Sequence, residues 1–201
     1  MIRILIAEDQ TMVREAIASL LELEDDLSVV AQVGRGDEVL AAAHAAEPDV
    51  ALLDIEMPGA TGLEVLRELA AQRPDCRILI LTTFGRPGYL RRAMEGGAAG
   101  FLLKDAPVAH LSSAIRRAMA GERIVDPGLA AAALSEGSSP LTAREQEVLA
   151  ASRAHATVVQ LANALHLSPG TTRNHLSTIM GKLGAGSRAE ASRVAEEKGW
   201  L

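Results

Sequence analysis

Short apolar runs and amphipathic stretches alternate along the first part of the chain. Ile2–Ala7 is almost wholly apolar and ends at Glu8-Asp9, the pattern of a buried strand. From Met12 the positions Met12, Val13, Ala16, Ile17, Leu20 and Leu21 recur at helical spacing, which predicts an amphipathic helix. Leu27–Val33 reads as a second strand and Asp37–Ala46 as an Ala-rich helix that stops before Pro48. The third strand, Val50–Asp54, carries four apolar residues straight into a carboxylate, and Pro58-Gly59 then turns the chain. Gly62–Gln72 follows as a helix with Leu63, Leu66 and Leu69 at turn spacing. Arg77–Thr83 is a fourth strand, Tyr89–Gly96 a short helix, Gly100–Lys104 a fifth strand and Pro107–Ala120 a helix.

Five such alternations predict a doubly wound α/β domain with a five-stranded parallel sheet, over residues 1–120. Residues 121–140 lack clear periodicity at their ends and contain Pro127, Gly128 and the tract Glu136–Pro140, so they read as a linker, with one or two helical turns over Leu129–Leu134. From 141 to 201 the pattern is wholly helical. Thr142 with Glu145 forms a capping box for a helix to about Ser152. A short helix spans Thr157–Leu165, a turn at Leu167–Gly170 leads into a helix through Leu183, and Ser187–Lys198 closes the series: a small all-α domain.

Charge sharpens this division. Residues 1–137 hold 13 Lys+Arg against 21 Asp+Glu, a balance of −8, whereas residues 138–201 hold 7 against 5, a balance of +2. Two domains with different partners are expected, although a surplus of two is weak as a sign of nucleic acid. The single cysteine, Cys76, excludes an internal disulfide and suits a reducing compartment. The run Ile4–Ala7 is too short for a signal peptide and nothing approaches a membrane span, so a cytoplasmic protein without a membrane partner is expected.

Ligands of open α/β sheets bind beyond the carboxyl ends of the strands. Glu8, Asp9 and Asp54 fall there, and three carboxylates brought together repel one another unless a cation binds. Mg²⁺, with its six oxygen ligands and taste for carboxylates, waters and phosphate, suits Asp9, Asp54 and the backbone carbonyl of Glu56. The fourth and fifth strands end in Thr82 and Lys104, a hydroxyl and an ammonium suited to an incoming phosphoryl group. Taken singly, each is equally an ordinary turn aspartate, strand threonine or solvated lysine. The combination is specific.

The set Glu8-Asp9, Asp54, Met57-Pro58-Gly59, Thr82 and Lys104 resembles the receiver domain of bacterial response regulators. The resemblance implies that Asp54 is the phosphoacceptor of a sensor histidine kinase, that Glu8 and Asp9 hold Mg²⁺, and that Lys104 binds the phosphoryl oxygens. It also makes Thr82 the switch hydroxyl and Phe101 the switch aromatic, which is otherwise a plain core residue. Asp105 stands where many receivers have proline. Glu56 and Phe84 occupy positions expected to tune the lifetime of the phosphate, Phe84 by hindering the attacking water.

In the third helix of the second domain Thr172, Leu176, Ile179, Met180 and Leu183 form a stripe to be buried. The opposite face carries Gly170, Arg173, Asn174, Ser177 and Thr178, with no acid between Ser168 and Lys182. Such a face can enter a major groove, where Arg and Asn read guanine and adenine edges; on periodicity alone, a solvated face is an equal contender. Leu141–Leu149, Leu161-Ala162, Leu167-Ser168, Thr171, Asn174-His175, Ile179 and Lys182-Leu183 resemble the LuxR/NarL (FixJ) type of DNA-binding domain. By that resemblance Arg173, Asn174 and Ser177 approach bases, and Thr171, His175 and Lys182 are phosphate or packing positions. Glu145 would tie the first helix to the rest. One departure is His155, where the family usually has glycine.

The resemblance thus implies a regulator, not an enzyme, that dimerises on phosphorylation and controls transcription at promoter DNA. The dimer surface is either the first and fifth helices or the fourth and fifth. The rivals are a phosphohydrolase using Asp54 as nucleophile, for which Glu56 stands where a second Asp is common, and a regulator that dimerises without phosphate.

Overall fold

The computed structural model describes residues 1–83, 85, 87–105, 107–135 and 139–201; at 87, 108 and 132–135 the backbone alone is described. Two compact units result, one of Met1–Gly85 with Leu90–Ala130, the other built mainly from Ala131–Leu201.

The first unit is a parallel sheet of β1 (Ile2–Ala7), β2 (Leu27–Val33), β3 (Val50–Asp54), β4 (Arg77–Thr82), β5 (Gly100–Leu103) and β6 (Ile124–Val125), in the order β2-β1-β3-β4-β5-β6. Its helices are α1 (Thr11–Leu21), α2 (Val39–Ala46, entered through a 3₁₀ turn at Gly36–Glu38), α3 (Gly62–Gln72), α4 (Pro87–Glu95) and α5 (Val108–Met119). Successive strand residues point to opposite faces. Ile4, Ile6, Leu52, Leu79 and Leu81 therefore share one face, where Ala18 and Leu21 of α1 and Ala114, Ile115 and Ala118 of α5 close over them. Leu5, Leu53, Ile78 and Ile80 point the other way and are equally buried. A sheet covered on both faces explains why these strands read as unbroken apolar runs.

All five expected strands are present, and β6 adds a sixth inside the segment read as a linker. It pairs Gly100 with Ile124 and Phe101 with Val125. A Cβ on Gly100 would lie 2.9 Å from the Ile124 carbonyl oxygen, so glycine at that position lets the extra strand approach. α6 (Pro127–Ser135) follows, longer than the one or two turns expected over Leu129–Leu134.

The second unit holds α7 (Ala143–Ala151), α8 (Val158–Ala164), α9 (Pro169–Leu183) and α10 (Arg188–Glu197). Its core joins Val148, Leu149, Leu161, Leu176, Ile179, Ala191 and Ala195. The capping box at Thr142 forms as expected: Glu145 N–H donates to Thr142 Oγ1 at 3.3 Å and Thr142 N–H to Glu145 Oε2 at 2.7 Å. Thr157 with Gln160 caps α8 in the same way. Among the described residues, no helix is long and apolar enough to cross a membrane.

Candidate functional sites

The strand order reverses at β1, since β2 lies on one side of it and β3 on the other. The carboxyl ends of β1 and β3 therefore flank a topological switch point, where side chains gain access to a crevice. Register does the positioning. Ala7 pairs with Leu53, so Glu8 comes level with Asp54; Asp54 pairs with Leu81, so Thr82 is one step further out. Thr82 pairs with Leu103, and its carbonyl accepts the Lys104 N–H at 2.8 Å.

Carboxylate oxygens of Glu8, Asp9 and Asp54 consequently lie within 4.8 Å of one another. Glu8 and Asp54 are only 1% and 5% exposed, whereas Asp9 faces solvent. The Lys104 ammonium bridges the buried pair, 2.6 Å from Glu8 Oε2 and 3.0 Å from Asp54 Oδ2. Burial, the largest influence, raises the Glu8 carboxyl above its ordinary value; Lys104 opposes this and Asp54 adds to it. Burial also works against the Lys104 ammonium, but its close contacts with the carboxylates of Glu8 and Asp54 outweigh that and raise its pKa. The short Lys104–Glu8 contact has the distance of an ion pair without the direction of a hydrogen bond, so Glu8 Oε2 is buried with no aligned donor. One ammonium against three carboxylates leaves the pocket anionic. An all-oxygen donor set with an unaligned buried oxygen fits a hard divalent cation.

Thr82 is 3% and Phe101 1% exposed, so both lie inside, Phe101 among the core residues of β5. Glu56 is exposed in the turn after β3. Phe84 lies outside the described residues. Two supports escaped sequence reasoning. Arg14 donates to the Glu8 carbonyl and holds the turn from β1 into α1. Gly62 starts α3 so close to β3 that a Cβ there would lie 2.0 Å from the Asp54 carbonyl oxygen. The capping motif at Thr61, with Glu64 three residues on, is the sequence signal for that helix start.

In the helical unit, α9 is sorted as its periodicity predicts. Thr172, Leu176 and Ile179 are buried, with Met180 and Leu183 packed partly against the same core. Thr172 Oγ1 donates to the Ser168 carbonyl at 3.0 Å, satisfying the buried hydroxyl. Thr171, Arg173, Asn174, Ser177, Thr178 and Lys182 are exposed and His175 is half-buried. Lys182 has a structural tie, its Nζ 2.7 Å from Glu145 Oε2, which joins α9 to the cap of α7. His155 keeps an ordinary backbone: among the described non-glycine residues, positive φ occurs at Glu47 and His166. Arg188 instead closes the turn after α7 by donating to the carbonyls of His155 and Ala156. The left-handed residue is His166, between α8 and α9, with φ 54°.

A sheet with acids and an amine at its switch point, joined in sequence to a helix-turn-helix unit, defines a class. Residues 4–116 match the response regulator receiver domain, and residues 139–195 match the bacterial regulatory proteins of the luxR family. The chain belongs to the LuxR family of two-component response regulators, with a receiver joined to a LuxR-type DNA-binding domain. Similar proteins include two from Bacillus subtilis (strain 168), the transcriptional regulatory proteins YvfU and DesR. Each is 46% identical over 201 residues, covering all of this chain and all of its own. The crystal structure of the response regulator ChrA of a heme-sensing two-component system is 34% identical, with TM-score 0.58, covering 100% of this chain and 98% of that one.

Proposed function

We propose that Asp54 accepts a phosphoryl group from a sensor histidine kinase and that this modification controls binding of promoter DNA by α9. The observation that carries the reading is the meeting of Glu8, Asp9, Asp54 and Lys104 at one strand-end pocket. An Asp54 carboxylate oxygen attacks phosphorus as the bond from phosphorus to the kinase histidine breaks, leaving an acyl phosphate. Lys104 then turns from the carboxylates to the phosphoryl oxygens, and the Thr82 hydroxyl follows. Glu8, Asp9, Asp54 and the Glu56 carbonyl would hold Mg²⁺, which when bound would neutralise charge on those oxygens. Phe101 fills the space that Thr82 leaves.

The working units of this reading are a receiver over 1–120, a connecting segment over 121–140 whose β6 is laced into the receiver sheet, and a DNA-binding domain over 141–201. Phosphorylation favours a homodimer that sets two α9 helices on half-sites about one helical turn apart. The face of α1 and α5 suits that role: Met12, Leu20 and Leu23 are exposed beside an apolar groove of about 410 Å³ lined by Ile17, Leu102 and Leu111. Arg173, Asn174 and Ser177 read bases, while Thr171, His175, Thr178 and Lys182 lie toward the phosphates. Kinase and promoter meet in the cytoplasm, which is the compartment this reading requires.

The test is incubation of the full chain with acetyl phosphate and Mg²⁺, followed by intact mass and by selection of bound DNA from a random pool. One phosphoryl group per chain, lost in Asp54→Ala, with tighter DNA binding after uptake, is the expected result. Multiple-turnover hydrolysis of a phosphate ester would instead make the protein a phosphohydrolase. Equal DNA binding by Asp54→Ala and the phosphorylated protein would make phosphate dispensable.

A further inference from the structure

Residues 124–130 join two parts of the receiver that both lead into the acidic pocket. On one side β6 is laced to β5: Ile124 pairs with Gly100, Val125 with Phe101, and Ile124 N–H donates to the Ala99 carbonyl at 3.0 Å. On the other side Leu129, in the first turn of α6 and 8% exposed, is seated against β5 and the chain that follows β4. A Cβ built on Gly85 would lie 3.2 Å from both Leu129 Cδ1 and Leu103 Cδ2. Gly85 is three residues beyond Thr82, and Leu103 immediately precedes Lys104. Asp126 fixes the segment internally, its Oδ1 accepting the Leu129 N–H at 2.9 Å at the start of α6.

We infer that residues 124–130 form a latch, docked on the receiver when Asp54 is unmodified and loosened when it is phosphorylated. The inference rests on the phosphoacceptor reading above. Leu129 and Leu103 both crowd Gly85, and this cluster continues in the chain into side chains that turn toward an incoming phosphoryl group, Thr82 before Gly85 and Lys104 after Leu103. Dispersion contacts fall away over a fraction of an ångström, so moving either stretch of chain unseats the leucine. Beyond these contacts the segment is held chiefly by Ile124, whose side chain joins the core beneath α5. β6 is two residues long at a sheet edge, and a cavity of about 380 Å³ lined by Phe101, Leu103, Ser113, Ala114, Ile124 and Val125 lies beside it. Short edge segments with few buried contacts open first. Because α6 continues from this latch toward the second unit, its release lengthens the free connection between receiver and DNA-binding domain.

Amide hydrogen exchange of the full chain, read by mass spectrometry on peptides covering 124–130, tests the latch. With acetyl phosphate and Mg²⁺, exchange there rises roughly tenfold while peptides of β3 stay protected. Leu129→Ala, without phosphodonor, exchanges as fast as the phosphorylated wild type and still takes up one phosphoryl group. Full uptake on Asp54 with unchanged or slower exchange over 124–130 overturns the latch alone, as does a slow-exchanging Leu129→Ala. No uptake on Asp54 overturns the phosphoacceptor reading, and the latch falls with it.

Discussion

Each unit contains a lysine against a glutamate at nearly the same distance, 2.6 Å for Lys104–Glu8 and 2.7 Å for Lys182–Glu145, yet the two glutamates are pushed in opposite directions. Glu8 has its carboxyl raised, because burial beside Asp54 costs more than one shared ammonium returns. Glu145 has its carboxyl lowered, first by Lys182 and then by the Thr142 N–H of its own capping box. A contact distance therefore does not say what an ion pair does. The receiver pair is held against desolvation, and on the proposed reading it exchanges partners when a cation or a phosphoryl group arrives. In the helical pair Glu145 Oε2 accepts from both the Lys182 ammonium and the Thr142 N–H, and the pair acts as a tie between α7 and α9.

Five substitutions break or sharpen that contrast, on the proposed reading of Asp54 as phosphoacceptor and α9 as the helix that meets DNA. Asp54→Ala removes the nucleophile, so phosphoryl uptake measured by intact mass is abolished. Lys104→Ala removes the group that meets developing charge on the phosphoryl oxygens, and the rate of uptake falls by about 10²-fold. Glu8 and Asp54 then face each other without their ammonium, and a retained wild-type rate would show Lys104 to be only a structural counterion. Arg173→Ala or Asn174→Ala removes an exposed side chain of α9, and the expected result is binding to selected DNA weakened by roughly 1–3 kcal/mol, with thermal unfolding unchanged. Lys182→Ala has the smallest effect, roughly 1 kcal/mol of stability in the helical unit at neutral pH, read from urea unfolding.

The last variant carries a pH signature. The folded Glu145 carboxyl sits below its ordinary value of 4.5, so its stabilisation is fully present above that value. It is lost as pH falls through the lowered folded value. Wild type and Lys182→Ala should thus converge in stability on acidification below about pH 4.5, and a constant gap would assign the tie to packing alone.

Much of this was legible before any fold was known. Five strands and the helices between them follow from apolar runs and helical spacing, because a sheet covered on both faces needs such runs. The buried stripe of α9 and the capping box of α7 follow from residue type at fixed short separations. The acidic set could be assembled because each member stands at the end of an apolar run. His155 shows the limit: it stands where the family usually has glycine, but the left-handed backbone belongs to His166, between α8 and α9, and Arg188 closes the earlier turn from 33 residues away.

The sequence by itself therefore determined the elements, the division into receiver and helix-turn-helix unit, and which polar residues stand at strand ends or on the open face of a helix. These are local matters, set by periods of 2 and 3.6 residues and by turn chemistry. Only the tertiary structure decided that a two-residue strand, too short to show any period, joins the sheet beside Phe101. It alone paired Lys182 with Glu145, left Glu8 Oε2 buried without an aligned donor, and brought Leu129 and Leu103 together at Gly85. Such pairings depend on distances between residues far apart in the chain, which no local pattern encodes.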